Sequence, residues 1–167
     1  MLSFHSYSSL QIYESTWAAM REFTLSRDEH SADQLWFLEH FPVFTQGQAG
    51  KAEHLLNTSE IPIVQSDRGG QITYHGPGQL MIYCLFDLKR LNMNVRGLVS
   101  LLEQIIIELL ASFGISSHAR KDAPGVYTHQ GDKIASLGLR IRHGKNYHGV
   151  SLHIDMDLKP FHQIRPC

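Results

Sequence analysis

The chain has 167 residues, a formal net charge of −1 and 43% hydrophobic residues, which fits one globular domain and excludes an intrinsically disordered chain. No strong basic field argues for a nucleic-acid partner, and no apolar run of about 18 residues argues for a membrane-spanning helix. The N-terminus lacks the basic and apolar segments of a signal peptide, and two cysteines are too few for a disulfide framework, so we expect a cytoplasmic protein.

The N-terminal third of the chain predicts a helix, a strand and a loop. Apolar residues recur at helical spacing over 14–26, where Ser15 or Thr16 is available to cap the helix. The run 34–40 has the composition of a short strand. Glycine and glutamine dominate 42–51, and this composition predicts a loop.

The middle of the chain predicts a buried strand followed by a long helix. Segment 79–88 is apolar on both of its alternating faces, which is typical of a strand covered on both sides, with Cys84 as a small core residue. A long apolar run then begins after Asn94, a suitable N-cap, and ends before Gly114 at a C′ position.

The last third predicts an antiparallel meander, because short alternating segments are separated by HQGD and HGKN turns. Apolar positions alternate along two successive strands: Leu137, Leu139 and Ile141 on the first, and Val150, Leu152 and Ile154 on the second. Helices and strands occur without a strict βαβ alternation, so the pattern indicates an α+β fold.

The stretch 68–79, RGGQITYHGPGQ, combines a flexible backbone with many polar side chains. Its glycines permit positive φ and the close approach of a ligand, and Pro77 fixes a bend. It matches neither GxGxxG nor GxxxxGK[ST], so it contains no motif that predicts nucleotide binding. We interpret the stretch as a binding wall for an extended, weakly polar ligand; the alternative is a long connection between strands.

The chain ends on Cys167, and Lys133 lies near the start of a strand that we expect to be buried. Lysine is seldom buried without a partner, and a thiolate would be a suitable one. An ammonium group about 4 Å away is worth at most roughly 4 kcal/mol at an effective dielectric near 20. After desolvation this interaction would still lower the pKa of the thiol and raise the thiolate population about tenfold. The sequence alone does not bring the two residues together.

Other charged and titratable residues have simpler interpretations. Segment 140–145, RIRHGK, predicts either a solvated hairpin tip or a docking surface for acidic carrier proteins. We expect His148 and His153 to serve hydrogen bonding within the sheet, and Asp155 and Asp157 to be structural. The eleven histidines show no HExxH or paired CxxC spacing, so we expect no metal site.

Four ordered segments resemble the lipoyl(octanoyl) transferases of bacterial lipoate synthesis: RGGQITYHGPGQ, KIASLGLRIRHG, YHGVSLHIDMDL and IRPC. The upstream run PVFTQGQAGKAEHLL also matches, so the resemblance extends from about Trp17 to Cys167. It implies a mixed β-sheet flanked by helices, similar to the catalytic domains of biotin and lipoate protein ligases. It also implies transfer of an octanoyl group to a lysine of a lipoyl domain through a cysteine thioester.

The resemblance assigns roles to particular residues. Cys167 is the implied nucleophile, and Lys133 is the residue that lowers its pKa. Three segments are implied to line the substrate site: Arg68, Gly69, Gly70, Gln71, Ile72, Thr73, Tyr74 and His75; then Ser136, Leu137 and Gly138; then Gly149, Val150 and Ser151. Either Lys133 or His75 is a candidate to assist deprotonation of the acceptor lysine.

The implied partners are octanoyl-acyl carrier protein as donor, and lipoyl domains of 2-oxoacid dehydrogenases and the glycine cleavage H protein as acceptors. Thioester exchange is close to neutral and thioester-to-amide transfer is downhill, so we expect no cofactor, ATP or metal. Family members continue beyond the cysteine. We therefore expect 1–167 to be one catalytic domain cut at its C-terminus, with reduced activity because a terminal carboxylate would raise the pKa of the Cys167 thiol.

Two other functions remain open at this point. An ATP-dependent lipoate or biotin protein ligase would share the fold and the buried lysine without needing Cys167, and ATP–pyrophosphate exchange would identify it. A non-catalytic homologue that only binds acyl chains or lipoyl domains would keep its function after Cys167→Ser.

Overall fold

The computed structural model describes residues 1–56 and 60–165, and within them it contains two β-sheets and two α-helices. The strands are β1 (Leu2–Ser6), β2 (Asp33–Leu38), β3 (Val43–Gln46), β4 (Ile63–Gln65), β5 (Ile72–His75), β6 (Gln79–Leu85), β7 (Ser117–Ala119), β8 (Val126–Thr128), β9 (Lys133–Arg142) and β10 (Lys145–His153). The helices are α1 (Tyr13–Ser26) and α2 (Val95–Ser112), with short 3-10 turns at Ala52–His54 and Lys159–Gln163. This mixed-sheet architecture confirms the predicted α+β class.

The larger sheet has seven strands in the order β1-β2-β6-β10-β9-β8-β7. Strands β1 and β2 pair in parallel, and the other neighbours pair antiparallel. The β9–β10 hairpin turns at His143 and Gly144, which both have positive φ, as a tight two-residue hairpin turn requires. The predicted meander is therefore confirmed, except that β10 ends at His153 and Ile154 is 65% exposed.

The smaller sheet has the order β4-β3-β5 and corrects two predictions. Segment 42–51 contains β3, so its interpretation as a loop was wrong; β3 is buried because it is the central strand of this sheet. The glycine-rich stretch 68–79 contains β5 and the turn into β6, so it is not the long connection between strands that was the alternative interpretation. Both pairings are tertiary contacts that glycine content does not reveal.

Helix α1 covers one face of the larger sheet, where Met20 packs on an apolar cluster from β2, β6 and β10. The helix was predicted, but its capping by Ser15 or Thr16 was wrong. It begins after Ile12, which makes no side-chain capping hydrogen bond, and the Thr16 hydroxyl donates to the Ile12 carbonyl instead.

Helix α2 covers the opposite face, and both of its predicted caps are confirmed. The Asn94 side chain accepts a hydrogen bond from the Gly97 N–H, and Gly114 follows the helix with a φ of +76°. Four apolar side chains spaced four residues apart pack into the core, each contributing roughly 1.5–3 kcal/mol: Leu98, Leu102, Ile106 and Leu110.

Cys84 lies in the same core on β6, fully buried as predicted. Burial raises the pKa of its thiol to about 12, so it is protonated at neutral pH. Within the described residues, neither helix has both the length and the hydrophobicity needed to cross a bilayer.

Candidate active site

The three segments of the predicted substrate site meet around strand β9. Residues 136–138 of β9 pair with residues 149–151 of β10, with Gly138 opposite Gly149. The glycine-rich stretch joins them because the Gly69 N–H donates a 2.9 Å hydrogen bond to the Leu139 carbonyl of β9. The tertiary structure therefore brings together segments that are far apart in the sequence.

Strand alternation divides the residues of the hairpin between two faces. Leu137 and Val150 point into the core under α2. Ser136, Gly138 and Ser151 alternate with them along the strands and lie on the other face. Only the second group therefore belongs to the face that the glycine-rich stretch contacts.

The glycines of the hairpin permit unusually close packing. A Cβ atom on Gly138 would lie 3.1 Å from Cδ of Arg68, and a Cβ atom on Gly149 would lie 2.0 Å from the Ile82 carbonyl oxygen. The second distance is shorter than real structures tolerate, so a side chain at 149 would force β10 away from β6. Glycine is required at 149 by the scaffold itself.

Arg68 is 8% exposed, and its guanidinium is bound by the fold. It donates to the carbonyl and hydroxyl oxygens of Thr45, to the Gly69 carbonyl at 2.8 Å and to the Gln71 carbonyl at 2.7 Å. Burial lowers the pKa of Arg68 below its ordinary value. Arg68 thus joins β3 to the loop that contains Gly70, which has a φ of +83°.

The side chains of strand β5 contact other residues of the protein. Ile72 and Tyr74 are buried in the core of the smaller sheet, and Thr73 is half-buried. The ring nitrogens of His75 lie 2.7 Å from Gln79 Oε1 and 3.1 Å from the Thr45 hydroxyl. Burial lowers the pKa of His75 well below 6.5, so its imidazole is neutral at pH 7.

Lys133 is the first residue of β9 and is half-buried. Its Nζ donates a 3.3 Å hydrogen bond to the Pro124 carbonyl and lies 5.2 Å from the centre of the Tyr127 ring. Over residues 1–56 and 60–165, no carboxylate oxygen lies within 4.0 Å of this ammonium. Cys167 lies outside the described residues.

Asp67 is a central acceptor that the sequence interpretation missed. Its carboxylate accepts hydrogen bonds from Trp17 Nε1 at 2.8 Å, from His148 Nε2 at 2.9 Å and from the Tyr147 hydroxyl. Burial raises the pKa of Asp67, but these bonds outweigh it and hold the pKa at about 2. The contacts tie α1 and β10 to the loop before Arg68, and His148 is held at a φ of +65°.

A second buried polar cluster lies in the same region, between α1 and the smaller sheet. His40 Nε2 lies 2.7 Å from the Tyr83 hydroxyl, and the Tyr13 hydroxyl lies 2.7 Å from Ser66 Oγ. Burial lowers the pKa of His40 to about 4 and raises that of Tyr13 to about 12. All three rings are uncharged at pH 7, because burial also raises the pKa of Tyr83.

Glu103 of α2 is the other missed residue, with only 8% exposure. Its carboxylate accepts a 2.9 Å hydrogen bond from the Gly125 N–H. The sequence does carry a signal for it, because Glu103 shares a helical face with Ile106 and Leu110, and a carboxylate on an apolar face needs a partner.

Residues 12–166 match the family described as Lipoyl protein ligase A/B catalytic domain. An octanoyltransferase of Hahella chejuensis is 60% identical over 156 residues, which are 93% of this chain and 69% of that protein. An octanoyltransferase of Pseudomonas entomophila is 61% identical over 158 residues, which are 95% of this chain and 73% of that protein.

A crystal structure of lipoate-protein ligase A bound with ATP shares the fold, with a TM-score of 0.80. The match covers 99% of this chain and 71% of that one at 14% sequence identity. At this identity the likeness concerns the fold alone, and it confirms the expected similarity to the catalytic domains of lipoate protein ligases.

Proposed function

Because the chain belongs to the lipoyl protein ligase A/B catalytic-domain family and, within it, to the octanoyltransferases, we propose that it moves octanoyl from acyl carrier protein to lipoyl domains through a thioester on Cys167. The observation that carries the octanoyl-transfer activity is the identity of 60–61% to octanoyltransferases over at least 93% of the chain. The donor, the covalent intermediate and the residue roles are the proposal.

In the first step the Cys167 thiolate attacks the octanoyl carbonyl of the donor thioester. A new C–S bond forms, main-chain N–H groups stabilise the oxyanion, and the bond to the carrier sulfur breaks. An ordinary thiol with a pKa of about 8.5 is only a few per cent thiolate at pH 7. Lys133 is a half-buried residue whose Nζ has no carboxylate within 4.0 Å in the described part of the chain, and this supports its proposed role in lowering the pKa of Cys167.

The octanoyl chain is proposed to lie against the β9–β10 face that carries Ser136, Gly138 and Ser151. The supporting observation is that the glycine-rich stretch bonds to β9 beside this face. Within that stretch, Arg68 and His75 have their polar atoms engaged by the protein. We therefore propose that these two residues shape the wall of the site.

In the second step the amine of the acceptor lysine attacks the Cys167 thioester, an amide bond forms, and the thiolate departs. Acylation removes the negative charge beside Lys133, and in this scheme the Lys133 ammonium gives a proton to the departing carrier thiolate. The neutral Lys133 amine then accepts the proton that the acceptor lysine loses. His75 suits this role less, because both of its ring nitrogens are already engaged.

The family implies lipoyl domains as acceptors. We propose that they include those of 2-oxoacid dehydrogenases and of the glycine cleavage H protein, and that the reaction takes place in the cytoplasm. We propose that 1–167 acts as one catalytic domain. The donor thioester carries the free energy for amide formation, so the proposed reaction uses no ATP.

The first prediction is an octanoyl adduct on one cysteine. After incubation with octanoyl-acyl carrier protein, peptide mass spectrometry should find one octanoyl group on Cys167 and none on Cys84, whose thiol is buried and protonated. Cys167→Ser should abolish adduct and transfer, and Cys84→Ala should retain both. An active protein that never carries octanoyl on Cys167 would contradict the covalent scheme.

The second prediction concerns the reactivity of the thiol. Lys133→Ala should move the pH profile of Cys167 alkylation to higher pH, because the thiolate loses a neighbouring cation. Lys121→Ala, which changes an exposed lysine before β8, is the matched control and should leave the profile in place. An unchanged profile in Lys133→Ala would remove Lys133 from the proposed role.

The ATP-dependent ligase alternative rests on the shared fold alone. Incubation with octanoate, ATP and labelled pyrophosphate should give no exchange. Exchange that persists in Cys167→Ser would replace the thioester scheme with ligase chemistry.

A further inference from the structure

One peptide group lies between a buried carboxylate and the ammonium of Lys133. The Gly125 N–H donates a 2.9 Å hydrogen bond to Glu103 Oε1. The Pro124 carbonyl, which belongs to the same peptide group, accepts a 3.3 Å hydrogen bond from Lys133 Nζ. Because a peptide group is planar and rigid, the contact with Glu103 fixes where the carbonyl meets Lys133.

The electrostatics of this arrangement are favourable at both ends. A peptide group has a dipole of about 3.5 D, whose positive N–H end faces Glu103 and whose negative carbonyl end faces Lys133. Across residues 1–56 and 60–165, no basic side-chain nitrogen lies within 4.0 Å of the Glu103 carboxylate. The peptide group between them therefore couples this carboxylate to the Lys133 ammonium.

Gly125 is the position that makes the contact possible. Its φ of +141° is one that residues with a side chain rarely adopt. A Cβ atom there would lie 2.8 Å from the Ala135 carbonyl oxygen and 3.1 Å from Cε of Lys133. Any side chain at 125 would therefore push this peptide group and Lys133 apart.

Helix α2 gives the arrangement a rigid base. Glu103 is adjacent to Leu102, which is anchored in the core together with Leu98, Ile106 and Leu110. A carboxylate fixed in this way holds the 124–125 peptide group in place, whereas an exposed side chain would not.

We propose that Glu103 is a positioning residue for Lys133, acting through the Pro124–Gly125 peptide group. It fixes the position of the ammonium at the start of β9. The inference rests on the proposed function, in which Lys133 lowers the pKa of the Cys167 thiol. In this proposal Glu103 acts on Lys133 and not directly on the substrate.

Other titratable groups lie on the elements next to Lys133: Tyr127 contacts its ammonium, Asp132 precedes it in the chain, and His118 and Arg120 pack on the Tyr127 ring. Arg120 packs on the Tyr127 ring at 5.0 Å and is ion-paired with Asp122 at 2.6 Å. These two charges largely offset each other. Replacing Glu103 therefore removes the buried negative charge on this side of the ammonium.

Two substitutions separate the charge of Glu103 from its hydrogen bond. Glu103→Gln keeps an acceptor for the Gly125 N–H and removes the charge, and Glu103→Leu removes both. The readout is acetylation of the Lys133 amine by N-hydroxysuccinimidyl acetate between pH 7 and 10, followed by peptide mass spectrometry. Lys121 in the same sample is the internal control.

At pH 8 we expect Lys133 acetylation to rise about threefold in Glu103→Gln and about tenfold in Glu103→Leu, because loss of the Glu103 contact no longer holds the 124–125 peptide group against the Lys133 amine. The labelling of Lys121 should not change. Glu108→Gln, on the exposed face of α2, should leave Lys133 labelling unchanged. Unchanged labelling of Lys133 in the folded Glu103→Gln protein would overturn the inference.

A double-mutant cycle then tests whether Glu103 affects octanoyl transfer through Lys133. Glu103→Leu should lower kcat for octanoyl transfer about tenfold with little change in KM, and it should add little in a Lys133→Ala background. Additive losses would show that Glu103 has only a structural role. If Lys133→Ala alone leaves transfer unchanged, the proposed function of Lys133 fails, whereas the acetylation result still decides the role of Glu103.

Discussion

The two cations of the candidate site, Arg68 and Lys133, lie in opposite environments. Arg68 is 8% exposed and donates to four acceptor atoms on Thr45, Gly69 and Gln71. Lys133 is half-buried at a strand end and donates to one carbonyl in the described part of the chain. A cation whose donors are all engaged shapes the site, whereas a cation that keeps donors available can act on a reacting group.

The energetic reason is the cost of burying charge. A guanidinium removed from water is tolerated only when hydrogen bonds replace its hydration. The carbonyls of the loop and of β3 provide this replacement for Arg68, and in return they fix the loop. Lys133 retains contact with solvent, so it can respond to a thiolate or to a proton that arrives during the reaction.

The largest expected effect on stability is that of Arg68→Met. The substitution removes the guanidinium hydrogen bonds to the Thr45, Gly69 and Gln71 carbonyls, of which Gln71 keeps the bond from the Gly47 N–H, and we expect a loss of about 3–5 kcal/mol in the free energy of unfolding. Denaturant unfolding measures it, with Arg142→Met on the exposed hairpin tip as control, expected within about 0.5 kcal/mol. A loss below about 1 kcal/mol for Arg68→Met would remove the contrast between the two cations.

The buried histidines in the region of Arg68 should make stability depend on pH. The unfolded chain binds a proton at His40 with the ordinary pKa of 6.5, whereas the folded protein does so at about 4. The unfolded state therefore binds more protons between these values, so stability is complete above pH 6.5 and is lost as the pH falls towards 4. The loss assigned to His40 is on the order of 3 kcal/mol.

Unfolding free energies measured at pH 7.5 and 4.5 test this dependence. His40→Gln should have a smaller difference between the two values than the unsubstituted protein. His129→Gln, in the exposed turn before β9, should retain the full difference. Equal differences in all three proteins would mean that His40 titrates normally in the folded state.

The smallest expected effect on stability is that of Lys133→Met. One 3.3 Å hydrogen bond and the contact with the Tyr127 ring are lost at a strand end, so the free energy of unfolding should change by about 1 kcal/mol or less. Octanoyl transfer measured on the same preparation should fall strongly. A destabilisation as large as that of Arg68→Met would show that Lys133, too, is a structural cation.

Much of the fold could be predicted because it depends on local patterns. The caps of α2 at Asn94 and Gly114 follow from the needs of helix ends, and the apolar residues on both faces of 79–88 predicted a strand covered on both sides. The structure shows that α1 covers one of these faces and α2 the other. The glycine-rich stretch and Lys133 were found through ordered motifs. These features need only neighbouring residues, or a family resemblance, to be recognised.

The sequence by itself determined the helices, the β9–β10 hairpin and the family motifs, because each is encoded by residues close together in the chain. Only the tertiary structure decided that β3 and β5 belong to a separate sheet, and that Asp67 and Glu103 accept hydrogen bonds from distant parts of the chain. Asp67 meets His148 across 81 residues and Glu103 meets Gly125 across 22. Hydrogen bonds between residues so far apart in the chain depend on how the sheets and helices pack. The secondary-structure propensities of neighbouring residues therefore do not predict them.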